Sequence, residues 1–121
     1  MDFVGAIKNG FWNYASASGR AARSEFWYWC LFSFLAASAG TIVDLAIFRD
    51  TDIALFSPLI SLALLLPDVA VGIRRMHDLD RSGWWLLIYF TGIGAIVLLV
   101  WDCMKGTTGP NRFGPDPLAS N

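Results

Sequence analysis

The stretch Arg74-Arg75-Met76-His77-Asp78-Leu79-Asp80-Arg81-Ser82-Gly83-Trp84-Trp85 constrains this chain more than any other. It packs six ionisable side chains into eight residues, between two of the most apolar runs in the sequence. Unpaired charge is too costly in hydrocarbon, so such a stretch belongs in water or at a water–lipid boundary. Tandem tryptophans close it, and tryptophan settles at the headgroup level of a bilayer. The stretch therefore reads as a polar hairpin joining two transmembrane helices.

The flanking runs fit that reading. Phe26 to Phe48 is interrupted only by Asp44 and opens on the aromatic belt Phe26-Trp27-Tyr28-Trp29. At about 1.5 Å per residue it reaches roughly 33 Å, enough for a hydrocarbon core of about 30 Å. Ala37-Ser38-Ala39 imitates a signal-peptide cleavage site, but apolar sequence continues beyond it, so the segment is expected to be retained. A polar turn at 49–52 leads into a second run, with Ser57-Pro58 resembling an N-cap and first helical position. Pro67 is expected to kink this helix and free a carbonyl one turn earlier. Asp68 follows, within reach of Arg75 two turns on. Ser82 reads as the N-cap of a third helix, uncharged from Trp84 to Trp101, in which Gly92 and Gly94 allow close approach.

Ahead of the spans, Phe3, Val4, Ile7, Phe11 and Tyr14 recur at helical steps, giving a short amphipathic helix expected to lie in the interface. Arg20 and Arg23 stand one turn apart before the first run, where arginines meet phosphates. From Gly106 onward, glycine and proline exclude a helix, so the tail is expected to be irregular and ordered only where it docks. The expected fold is thus an all-α membrane protein of one domain, residues 1–121. It has three transmembrane helices (26–48, 53–75 and 84–104), the interfacial N-terminal helix and an irregular C-terminal tail. With three spans, lysine and arginine divide six to three in favour of a cytoplasmic N-terminus and hairpin. A rival arrangement bends residues 84–104 at Gly92-Ile93-Gly94 into a re-entrant hairpin and returns the tail to the cytoplasm.

Composition narrows the chemistry. Only 16% of residues are charged, against about 25% in an ordinary soluble domain. A net charge of −1 leaves no electrostatic footprint for nucleic acid. Cys30 and Cys103 form neither a zinc pattern nor a disulfide framework. His77 beside Asp78 and Asp80 offers weak metal chemistry at most, and it is the one histidine of the chain. No nucleophile motif or phosphate loop occurs, so no catalytic residue, metal or cofactor is expected.

Three motifs together carry a resemblance: Gly-Arg-Ala-Ala-Arg-Ser-Glu-Phe-Trp at 19–27, the 74–85 stretch, and Gly-Thr-Thr-Gly-Pro-Asn-Arg-Phe-Gly-Pro-Asp-Pro at 106–117. In order and spacing they resemble the bacterial domain-of-unknown-function family number 805, small inner-membrane proteins. Met76 stands where that pattern has leucine. The resemblance implies a bacterial inner-membrane protein and draws attention to Glu25, His77, Asp78 and Asn111 as its polar positions; it implies no activity. The leading expectation is a non-enzymatic module binding anionic lipid headgroups or a membrane partner, a second copy included, through Arg20, Arg23, Arg74, Arg75 and Arg81. One alternative is an oligomeric transporter or channel component using Asp44 and Asp68. Another is a lipid-headgroup enzyme using His77, Asp78 and Asp80.

Overall fold

The computed structural model describes residues 2–118. Among these the regular structure is helical: α1 (Phe3–Trp12), α2 (Arg23–Ile47), α3 (Phe56–Asp78), a 3₁₀ helix (Gly83–Phe90) and α4 (Gly92–Cys103). Two of them, α2 and α3, are long and apolar enough to cross a membrane, not three.

The correction concerns residues 84–104. Thr91 is extended (φ −94°, ψ 141°), and its Oγ1 accepts from Gly94 N–H at 2.9 Å while donating to the Ile88 carbonyl at 2.8 Å. That side chain closes a turn inside the apolar run. A Cβ at Gly94 would overlap the Ile88 carbonyl, so the tight turn needs glycine there. The two arms are short. Eight residues of 3₁₀ helix rise about 16 Å and twelve of α-helix about 18 Å, half or little more of a hydrocarbon core. Residues 84–104 therefore form two short arms bent at Thr91, and Cys103 returns beside the start of α2.

The α2–α3 hairpin is the frame. Gly40 lets the helices approach, since a Cβ there would press on Ser57 backbone and Ile60. Trp29, Leu64 and Val71 form its buried apolar centre. At the turn end, Asp44 accepts from the backbone N–H groups of Leu55 (3.0 Å), Phe56 (2.8 Å) and Ser57 (2.9 Å). Asp44 thereby caps α3 from the neighbouring helix, and Ser57 lies inside α3 rather than at its N-cap.

Helix α1 packs on the same frame. Gly10 sits on the face of Trp29, and Phe11 meets Trp29 edge-on at 5.4 Å between ring centroids. Just beyond α1, the Tyr14 hydroxyl donates to the Ala63 carbonyl. That carbonyl lies four residues before Pro67, the position a proline deprives of its helical donor. Helix α3 runs unbroken through Pro67.

Candidate functional site

Apart from Asp44 and Asp68, the functional candidates converge where α2 begins and α3 and α4 end. Helix α3 stops in a Schellman turn: Asp80 is left-handed (φ 58°), Arg81 N–H donates to the Met76 carbonyl at 2.9 Å and Asp80 N–H to His77 at 3.0 Å. This places Asp78 on the last helical turn, facing inward. Its carboxylate accepts from Arg20 (Nε at 3.0 Å) and from Arg75 (Nη1 at 2.6 Å). Beside it Arg74 Nη1 pairs with Glu25 at 3.0 Å, and Asn9 donates to the same carboxylate oxygen. All five ion-pair side chains are at most 5% exposed.

Two of the three buried guanidiniums, Arg20 and Arg75, also hold backbone, whereas Arg74 Nε and Nη2 have no partner among the described residues. Arg20 donates to the carbonyls of Gly109 (2.7 Å) and Thr107, so the tail is tied to the chain ahead of α2. Arg75 Nη2 donates to the carbonyls of Trp101 (3.3 Å), Asp102 (3.4 Å) and Met104. Those groups belong to the end of α4, where an α-helix leaves carbonyls without internal donors and favours positive charge. Arg23 Nη1 reaches Cys103 carbonyl at 3.2 Å and Trp27 Nε1 reaches Asp102 carbonyl at 3.0 Å. A Cβ at Gly106 would overlap the Asp78 carboxylate, so that glycine admits the tail to the site.

His77 is half-buried and engaged through one ring nitrogen, a stacked ring and its carbonyl. Its Nδ1 lies 3.0 Å from the Gly19 carbonyl, its ring stacks on Phe113 at 3.9 Å between centroids, and its carbonyl accepts from Asn111 Nδ2 at 2.9 Å. Asn111 in turn forms a small bridge with Gly114. Asp80 faces outward and pairs with Arg112 at 3.3 Å. The tail is thus irregular and docked, its final residues 119–121 lying outside the described set.

Of the arginines singled out by sequence, Arg20, Arg74 and Arg75 are buried, Arg81 is half-buried over the Trp101 ring at 4.2 Å, and Arg23 is exposed. Helix α2 begins at Arg23, so Arg20 shares no helical face with it. Arg75 pairs with Asp78 rather than Asp68. Asp68 lies apart, on α3, where its oxygens accept from Trp29 Nε1 (2.7 Å) and Ser33 Oγ (3.2 Å). Among the described residues no three His, Cys, Asp or Glu side chains are grouped to hold a metal ion.

Asp102 is a site residue that the sequence reading passed over. It is buried, and burial pushes its carboxyl up to about 6 against the opposing pull of Arg75. Its Oδ1 has no hydrogen-bond partner. The available signal was its place as the first charge after the uncharged run ending at Trp101. In the tail, Asp116 is held below the usual carboxylate range by the backbone N–H groups of Leu118 and Gly109.

Comparison with known proteins agrees with this geometry in extent. A family model described as "Protein of unknown function (DUF805)" matches residues 14–115, which include the whole arginine–carboxylate site and leave out α1. The chain is 44% identical to the inner membrane protein YhaI of Escherichia coli (strain K12), over 87% of this chain and 88% of that one. It is 37% identical to the inner membrane protein YhaH of the same organism, over 87% and 89%. It is 28% identical to the uncharacterized protein YiiR, also from that organism, over 84% and 85%. No solved structure matches.

Proposed function

The chain belongs to the DUF805 family of proteins of unknown function, and on that premise we propose that it is a small non-enzymatic module of the bacterial inner membrane that engages anionic headgroups through a rim of arginines. The carrying observation is the division among the arginines. Arg20 and Arg75 are held by Asp78 and backbone carbonyls and the buried Arg74 pairs with Glu25, whereas Arg23 is exposed and Arg81 half-buried, the latter in the segment that carries the exposed Trp84 and Trp85. Buried arginines hold the frame; rim arginines meet phosphate.

The same arrangement supports a cytoplasmic site. With two spans and a re-entrant hairpin, the N-terminal segment, the 74–85 stretch and the tail share one end of the molecule. Every lysine and arginine of the chain's nine except Arg49 lies in that half. This is a stronger charge asymmetry than three spans would give.

The transporter reading has one supporting observation, the exposure of Asp68; Asp44 is occupied by three backbone donors. The enzyme reading has none, since His77 is stacked and Asp78 is paired twice. To test the leading reading, the protein is reconstituted in mixed vesicles and its tryptophans are quenched by brominated phosphatidylglycerol. Arg23→Gln with Arg81→Gln is expected to weaken anionic-lipid enrichment by about 1 kcal/mol per arginine, less at high salt. Unchanged enrichment would overturn it.

A further inference from the structure

The flank of the α2–α3 hairpin carries a line of polar side chains that the arginine site does not use. On α3, Ser57, Ser61 and Asp68 are spaced by four and seven residues and share a face. On α2, Ser33 and Thr41 lie opposite: Thr41 Oγ1 is 3.2 Å from Ser57 Oγ and Ser33 Oγ is 3.2 Å from Asp68 Oδ2. Thr41, Ser61 and Asp68 are exposed. Asp68 is ten residues from Asp78, about 15 Å along the helix and so near the middle of a hydrocarbon core of about 30 Å. Lipid chains offer these groups no hydrogen bond, and an acid facing them is costly.

We propose that this seam is the contact face between two copies of the chain. A two-fold axis along the membrane normal sets every residue opposite its own depth. The exposed carboxyl of one copy then meets the carboxyl and hydroxyl groups of the other at one level, each side supplying donor and acceptor. Hydrogen bonds of this kind drive helix association where the hydrophobic effect is absent. The seam therefore recognises itself, with no second chemistry required. This dimer is independent of the rim arginines and of their lipid.

The test uses the full chain in native membranes with Cys30→Ala and Cys103→Ala. Ser61→Cys on the seam is expected to form a disulfide-linked homodimer on mild oxidation, while Ile42→Cys, 66% exposed on another face, stays monomeric. In parallel, single-molecule photobleaching in bilayers measures the dimer with both native cysteines retained. Asp68→Leu is expected to weaken dimerisation at least tenfold, and Asp68→Asn, which keeps donor and acceptor, to weaken it less. Protease resistance of the docked tail identifies any variant that misfolds, and Ser61→Leu then replaces it. Equal crosslinking at Ser61→Cys and Ile42→Cys, a crosslink to a different protein, or a monomer throughout photobleaching would each overturn the proposal.

Discussion

Two hairpins of similarly apolar sequence take different courses through this molecule. In the first, α2 and α3 have 25 and 23 residues and are joined at the far end, where Asp44 supplies the acceptors that α3 lacks. In the second, Thr91 halts the chain after eight residues and α4 brings it back. Its final carbonyls then land on Arg23, Trp27 and Arg75. Apolarity decides whether a segment tolerates lipid. The partners available to its backbone ends decide how far it goes.

The contrast breaks outright if the second hairpin spans. With Cys30→Ala in place, Cys103 and an introduced Asp50→Cys are labelled by a membrane-impermeant thiol reagent from each side. The expected result is all-or-none, with the two positions reacting from opposite sides. Labelling of both from one side would restore three spans.

The next effect measures what anchors the returning hairpin. Asp78→Asn removes the charge that serves both Arg20 and Arg75 and leaves two buried guanidiniums without their carboxylate. Breaking a buried pair from one side costs about 3–5 kcal/mol. Denaturant unfolding in detergent should show that loss, with earlier proteolysis of the tail around residues 108–114. A loss nearer the ~1 kcal/mol of a surface pair would remove Asp78 from the centre of the site.

The smallest effect sharpens the comparison through pH. Asp102, at the end of α4, has its carboxyl raised to about 6 by burial, above its ordinary 3.8. Folding therefore favours the protonated form. That contribution is fully present below about pH 4 and is lost as pH rises through about 6. Allowing for solvent screening, it amounts to on the order of 1 kcal/mol. Asp102→Asn should flatten the stability profile between pH 4 and pH 7 and raise stability at neutral pH. An unchanged slope would assign the dependence to another group.

Much of the site was legible as a set of residues and illegible as a set of pairs. Arg75 has Asp78 three residues ahead and Asp68 seven behind, both reachable by a long side chain. Asp78 prevails because Asp68 is held toward α2 by Trp29 and Ser33, while Arg20 and the Gly106 backbone close around Asp78. Those partners lie 39, 35, 58 and 28 positions away in the sequence, and no local spacing reveals them. The turn at Thr91 is of the same kind. Gly92 and Gly94 are compatible with helix packing or with a break, and Thr91 side-chain bonds to Ile88 and Gly94 settle it.

By itself, then, the sequence determined an all-helical membrane class, two helices long and apolar enough to span, the polar end they share, and the family, because hydropathy and motif spacing are local properties. Tertiary structure alone decided that the third apolar run turns back, that the tail docks beside the arginines, and which arginines are consumed. Each of those outcomes depends on where backbone carbonyls and carboxylates from distant segments meet, and in hydrocarbon that meeting outweighs the preference of any one segment.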